Sequence, residues 1–194
     1  MPIHIRNIQI PTSRLLLRPW MDSDLGDFFA YASIPIVGEM AGWKHSATLD
    51  EARVIQRSDW FRNECLALYH LADKKVIGSL GLHKSWAADD ARFRRLVSAD
   101  IGYVLHPDYW GRGLAHEAAT AVMTYAFAHM DVVLMTCAHF TTNPRSQRVI
   151  EKCGFVYDHS ADVFAEQLDM RFVEKRYIME AIVNGYKITP TASY

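Results

Sequence analysis

Long apolar runs are missing from this chain of 194 residues. Nothing reaches the roughly 20 residues that a membrane helix needs, and the short run Leu15 to Leu17 is bounded by Arg14 and Arg18. An excess of one charge is missing too. Lys and Arg total 21 against 22 Asp and Glu, a net charge of -1, so bulk charge offers no surface for nucleic acid. Cysteine is scarce: Cys65, Cys137 and Cys153 are odd in number and widely spaced, which reads as a reducing compartment rather than a disulfide framework. With no signal-like N-terminus, a soluble cytoplasmic protein is expected. Metal motifs fail as well. His116-Glu117 does not open H-E-x-x-H, because the fifth residue is Thr120, and Cys137-x-His139 has no second close pair; no metal is expected. The nine histidines are scattered and form no Ser-His-Asp set. Without repeats, low-complexity segments or a linker, residues 1–194 read as one domain, long enough to bury a sizeable core without staples.

What is present is an alternation of strands and helices. Ser13 to Pro19 reads as a short strand. Asp22 then caps a helix with Leu25, Phe28, Phe29 and Ala32 on one face. Gly38 to Ser46 is a loop carrying Glu39 and Trp43. Thr48 and Glu51 form a capping box for a second helix running to about Asn63, with Val54 and Phe61 on one side. Leu66 to Leu71 and Val76 to His83 suggest an antiparallel hairpin, and Trp86 to Arg95 a polar loop. From Ala99 the order is strand, helix, strand, helix, strand. A helix from Gly113 to about His129 buries Leu114, Ala118, Ala121, Val122 and Tyr125, and Val132 to Cys137 returns as a buried strand. Asn143-Pro144 opens the next helix and Gly154 closes it. Phe155 to Asp158 and Phe172 to Val183 supply two more strands. The fold class is α/β with a mixed sheet.

The most informative stretch is Ala99 to Glu117, ADIGYVLHPDYWGRGLAHE, a strand that enters a glycine-rich turn and then a helix. Gly111, Gly113 and Ala115 keep the approach clear, and the first-turn amides from Arg112 to His116 are free to hold a phosphate or pyrophosphate. The same glycines also suit a tight turn that needs only small residues. A dinucleotide fingerprint is disfavoured, since its third small residue is His116 here, and no G-K-[ST] of a P-loop follows.

Tyr109-Trp110-Gly111-Arg112-Gly113-Leu114-Ala115-His116-Glu117-Ala118, followed by Asn143-Pro144-Arg145-Ser146-Gln147-Arg148-Val149-Ile150-Glu151-Lys152-Cys153-Gly154-Phe155, resembles the paired signature of the GCN5-related N-acetyltransferase (GNAT) superfamily. Within it the chain is similar to the branch of the ribosomal-protein N-terminal alanine acetyltransferases: Thr12 to Pro19 matches that branch's opening strand, and Ala41 to Ser46 a segment of some members. The likeness covers about residues 11 to 183. It implies a mostly antiparallel sheet flanked by helices, with a splayed parallel pair holding acetyl-coenzyme A. The pyrophosphate is expected on Gly111 to Ala115, with Trp110, Leu114 and His116 alongside and Trp110 wedged against the sheet to fix the turn, and the pantetheine arm between Asp100 to Leu105 and Val132 to Cys137. An amide of Tyr103, Val104 or Leu105 then faces the thioester carbonyl. Arg112 adds charge or is simply solvated. Asn143 contacts the arm, caps its helix, or does both. Many relatives carry a tyrosine seven residues after the asparagine; that position is Ile150 here, which leaves Ser146 as the hydroxyl for the departing sulfur, or a core-edge serine. The resemblance allows a homodimer as well as a monomer.

An amine acceptor must lose a proton before it attacks. Near pH 7 that costs a lysine about 4 to 5 kcal/mol and an α-amine about 1 to 1.5 kcal/mol, so an α-amine needs no strong base. Asp100, Glu39 and His83 are the candidates to hold or deprotonate it, each with a structural alternative as a paired or solvated residue. Trp43, Trp86 and Tyr31 are candidate walls of an acceptor groove, or completions of the core edge. Acceptors compatible with the sequence include peptide N-termini, polyamines and amino sugars. An acyl-coenzyme A sensor and an NAD-dependent oxidoreductase are the competing classes, and an acyl-enzyme on Cys137 or Cys153 the competing mechanism. The polar stretch at 159–170 departs from the ribosomal branch, and its insert Phe164 to Asp169 either shapes acceptor binding or merely bridges two strands.

Overall fold

The computed structural model describes residues 4–183 and 186–187; the tail 184–194, which its Gly185 and Pro190 mark as an arm across a neighbour or a frayed end, falls largely outside the described residues. One eight-stranded sheet organises the chain. Its order is β1 (Ile10–Pro11), β2 (Leu15–Arg18), β3 (Cys65–His70), β4 (Lys75–Lys84), β5 (Ser98–Leu105), β6 (Leu134–Phe140), β8 (Met170–Glu180), β7 (Val156–Ala165). Every neighbouring pair is antiparallel except β5 and β6, which are parallel. This is the mixed, mostly antiparallel sheet that the sequence implies.

Alternation along the strands divides the apolar residues between two faces. On one face Leu66, Leu68, Leu80, Leu82, Ile101 and Met135 pack beneath α5 (Leu114–His129), which buries Leu114, Ala118, Val122 and Ala126 against them. Ala119 and Met123 are also buried, whereas Ala121 and Tyr125, expected inside, are half-buried. On the other face α1 (Leu25–Ala32), α3 (Leu49–Arg57) and α4 (Asp59–Glu64) gather Trp20, Phe28, Tyr31, Ala52 and Phe61 over Cys65 and Ala67. Farther across that face Ala87 and Phe93 pack on Leu134. Gly81, His83, Asp100 and Gly102 run between these two clusters and belong to neither, so this strip of the sheet is free for chemistry.

Several local expectations need correction. Asp22 does not cap α1; its carboxylate pairs with Arg57 and Arg62, while Asp24 accepts the Met21 N–H and a bidentate pair from buried Arg18. Thr48 does cap α3 by accepting from the Glu51 N–H, but Glu51 reaches back to the Ala47 N–H rather than to that of Thr48. The second helix then breaks at extended Ser58 into α3 and α4, and Val54 stands 72% exposed while Phe61 is buried. Glu39 ends a short helix α2 (Pro35–Glu39) rather than lying in a loop. The 159–170 stretch bridges two strands, one of the two roles open to it. It is the far half of a long β7–β8 hairpin, turned by residues 166–169 with Asp169 at φ 51°.

Candidate active site

The phosphate turn is built from backbone and braced by side chains from elsewhere. β5 ends at Leu105, whose carbonyl accepts the Trp110 indole N–H at 2.8 Å; this fixes the chain just before Gly111, as the sequence suggests. Gly111 and Gly113 take left-handed φ of 74° and 76°, a conformation costly for any residue with a Cβ. A Cβ on Gly111 would meet nothing within 4 Å, so its inner surface is open. Gly113 caps α5 and carries no side chain to satisfy the first-turn amides. The first helical bond runs from Glu117 N–H to Gly113 O, and among the described residues the amides of Leu114, Ala115 and His116 reach no other backbone group. Bare amides at a helix start beside two positive-φ glycines make a seat that fits a diphosphate.

The brace is Glu117. It accepts hydrogen bonds from Thr12 Oγ1 at 2.6 Å, Ser13 Oγ at 3.0 Å, Arg14 N at 2.9 Å and Arg14 Nε at 2.7 Å. Burial raises its pKa, but these donors outweigh burial and hold it at about 2. Arg14 in turn donates to the Arg112 carbonyl at 2.8 Å, tying the N-terminal strand to the middle of the turn. Arg112 itself lies over the Tyr109 ring and Arg145 over Trp110, at 5.1 Å and 5.0 Å. Sequence reasoning missed Arg14, Glu117 and Arg145 as partners of the turn. Thr12 to Arg14 are about a hundred residues from Glu117, and no local spacing links them.

The gap for an acyl carrier opens where β5 and β6 separate. Their pairing covers Ser98 with Leu134, Ala99 with Met135 and Asp100 with Thr136, then stops, although β5 continues to Leu105 and β6 to Phe140. The His106 N–H bonds Ile77 O on β4. Alternation therefore turns the Val104 and Gly102 amides toward β4 and those of Tyr103 and Leu105 toward the gap. Of the three amides considered for the thioester carbonyl, Val104 is directed away.

Tyr103 and Ser146 meet across the gap. The phenol oxygen lies 3.1 Å from Ser146 Oγ and 3.3 Å from Ser146 O. Burial pushes the Tyr103 pKa well up, with the nearby Cys137 adding to the rise, so the phenol keeps its proton. Asn143 caps α6 (Pro144–Lys152): its Oδ1 accepts the Ser146 N–H at 3.1 Å, and its amide donates to Met40 O at 3.3 Å. Both ends of Asn143 thus serve structure. Ile150 is 1% exposed in the core. Buried Cys137 has its pKa driven well above the usual thiol value, chiefly by burial, and burial raises that of Cys153, which disfavours either as an acyl-enzyme nucleophile.

The proposed amine-handling residues separate into two groups. Asp100 and His83 face each other across β5 and β4, and Gly102 faces Gly81 on the same side of the sheet. Asp100 is pushed up to about 7, above all by burial; a 2.5 Å hydrogen bond from Thr136 Oγ1 pulls it back, and Glu174 raises it further. His83 Nδ1 lies 2.8 Å from Glu64 Oε2. Glu39 is paired with His45 at 3.1 Å and precedes Met40, whose carbonyl accepts from Asn143. Of the candidate groove aromatics, Tyr31 is 1% exposed and belongs to the core, Trp43 packs on Gly38, and Trp86 stacks edge-on with His159.

Comparison with known proteins agrees with this geometry. Residues 14–156 match the model of the acetyltransferase (GNAT) domain. The uncharacterized N-acetyltransferase YoaA of Bacillus subtilis is 29% identical over 151 residues, 75% of this chain and 81% of that protein. A GNAT-family acetyltransferase from Bacillus anthracis superposes with a TM-score of 0.77 at 21% identity, covering 89% of this chain and 98% of that one. Spermidine N-acetyltransferase from Vibrio cholerae, in complex with CoA and spermine, gives 0.67 at 19% identity over 87% and 96%. Among the described residues no helix is long and apolar enough to cross a membrane, and no group of His, Cys, Asp and Glu is placed to hold a metal. The chain belongs to the GNAT acetyltransferase family, and is an enzyme that transfers acetyl from acetyl-coenzyme A to an amine acceptor.

Proposed function

We propose that the acceptor is a primary amine of modest basicity, attacking directly, and that the α-amine of a protein or peptide N-terminus suits the site best, as in the ribosomal-protein branch that the motifs resemble. The observation that carries this reading is the gap opening immediately after the Asp100–Thr136 pair, with polar side chains on its rim. Acetyl-coenzyme A, when bound, supplies the thioester. Amides 111–116 hold the diphosphate, with Arg112 beside it, and the Tyr103 or Leu105 amide polarises the carbonyl; one such donor is worth about 3 to 4 kcal/mol. The Tyr103–Ser146 hydroxyl pair hydrogen-bonds the sulfur side and stabilises the thiolate as it leaves. A carboxyl held near 7, as Asp100 is, is partly protonated near neutrality, and an arriving ammonium favours its charged form, so Asp100 holds the incoming ammonium.

A second reading is a small polycation such as a polyamine or amino sugar. Glu64 pairs with His83, and Glu174 raises the Asp100 pKa while Arg176, paired with Glu174, lowers it, so three carboxyl groups stand around this strip with one guanidinium among them. Calorimetry with acetyl-coenzyme A, followed by transfer assays on Ala- and Ser-initiated peptides, spermidine and an aminoglycoside, separates the readings. Faster turnover of the peptides supports the first and faster turnover of spermidine the second. Cofactor binding without acetylation of any of these amines overturns both.

A further inference from the structure

His83 is one of the three candidates to handle the amine, and the structure gives it a partner, Glu64, that has no assigned part in the reaction. Glu64 ends α4 and His83 lies near the end of β4; they are 19 residues apart in sequence, and their Oε2 and Nδ1 atoms are 2.8 Å apart. Both are partly exposed, at 29% and 34% of their side-chain surface, so solvent or an acceptor can reach them. The Nε2 edge of the imidazole sits against two glycines. A Cβ on Gly81 would come within 2.4 Å of His83 Nε2, and one on Gly102 would lie 3.7 Å from the same atom. The ring therefore crosses from β4 onto β5 at Gly102. That residue is two past Asp100, where pairing with β6 ends, and next to Tyr103, whose amide turns into the gap.

We propose that Glu64 and His83 form a proton-accepting dyad for the acceptor amine, in which His83 Nε2 takes the proton and Glu64 is the positioning residue that holds the ring over Gly102. The inference rests on the amine-acetylation reading above. An ionised carboxylate can only accept, so Nδ1 must carry a hydrogen toward Glu64, and the neutral ring then has its lone pair on Nε2. In the step, an N–H bond of the ammonium breaks and its electron pair stays on nitrogen. An Nε2–H bond forms, and the positive charge passes to the imidazolium, where Glu64 stabilises it. The neutral amine is then free to attack, and the ring later returns its proton to solvent. No redox partner is needed.

Nothing in composition or local spacing reveals the dyad, because its two members come from a helix end and a strand end. The glycines supply the signal. Gly81 and Gly102 face each other across β4 and β5, and glycine in a strand interior commonly marks a place where another group approaches closely.

Two measurements test the proposal. The first needs no turnover: 15N spectra of histidine-labelled protein, free and saturated with coenzyme A, report which ring nitrogen of His83 is protonated. An Nδ1–H ring in the wild type that loses this preference in Glu64→Gln supports the dyad; an Nε2–H ring overturns it. The second is the pH profile of kcat/KM on whichever panel amine the wild type acetylates. His83→Gln should lower kcat/KM about 100-fold or more and abolish the acid limb. Glu64→Gln should lower it about tenfold and move the limb to lower pH, with the KM for acetyl-coenzyme A unchanged. The groups facing His83 are Glu64 from α4, Cys65 from β3 and Asp100 from β5, so the limb is also followed in Asp100→Asn, where it should persist. A limb that vanishes in Asp100→Asn and survives in His83→Gln overturns the dyad while leaving amine acetylation standing. A wild type that binds acetyl-coenzyme A but acetylates no amine removes the parent reading, and the dyad with it.

Discussion

The cofactor turn and the acceptor strip lie on the same sheet but are made of different material. At the turn, main-chain amides face outward because Gly111 and Gly113 adopt positive φ, and side chains such as Glu117 and Arg14 act from behind. On the strip, glycines recede and side chains from several elements stand over them. A turn of this kind tolerates change in its flanking side chains and almost none in its backbone. The strip should behave in the opposite way, tolerating changes that preserve volume and failing when charge or ring position changes.

The largest effect should come at the turn. Gly113→Glu forces a Cβ into φ 76° and puts a negative charge into the diphosphate seat. Calorimetry should show acetyl-coenzyme A affinity falling at least 100-fold in protein that is still folded by circular dichroism; unchanged affinity would move the seat elsewhere and erase the contrast.

Next is the strip's buried carboxyl. Asp100 in the folded chain stays protonated until about 7, whereas the unfolded chain ionises near the ordinary 3.8, so between these values the unfolded state binds fewer protons and stability falls as pH rises. Asp100→Asn should therefore gain stability relative to the wild type between pH 4 and pH 8, on the order of a few kcal/mol, while raising the acceptor KM. Denaturant melts at the two pH values check this, and a pH-independent difference would show that Asp100 is solvated.

Glu117 gives the mirror image. Its folded pKa of about 2 lies below the ordinary 4.5, so its contribution is present above about 4.5 and is lost as pH falls toward 2. Glu117→Gln should cost about 2 kcal/mol near neutrality and weaken acetyl-coenzyme A binding several-fold, with the stability gap closing in acid. Loss of stability without loss of affinity would reduce the brace to a fold contact. The smallest effect belongs to Ser146→Ala, which should lower kcat about tenfold with acetyl-coenzyme A affinity nearly unchanged. Equal loss in both would assign Ser146 to binding, through its contact with Tyr103.

The difference between the two regions also decides what was legible in the sequence. Asn143, Pro144 and Gly154 announced α6, and the structure has the Asn143 cap and a Gly154 φ of 90°; the turn's glycines and the Trp110 wedge were equally local. Asp22, by contrast, read as a helix cap because its spacing was right, yet Arg57 and Arg62 claim its carboxylate from another helix. The second helix looked continuous because Ser58 is compatible with a helix; the break turns Phe61 inward and leaves Val54 in solvent. Tyr31 stayed open between groove wall and core edge because hydropathy cannot tell the two apart, and the structure puts it in the core.

By itself, the sequence determined the main order of strands and helices, the family and a glycine turn with bare amides at a helix start, because caps, positive-φ glycines and apolar alternation act over a few residues. Only the tertiary structure decided which side chains share the reaction strip. The meeting of Glu64 with His83, of Tyr103 with Ser146 and of Thr12 to Arg14 with Glu117 depends on how strands distant in sequence come into register. The Asp100 pKa is decided there too, since it follows from the burial that the assembled sheet imposes.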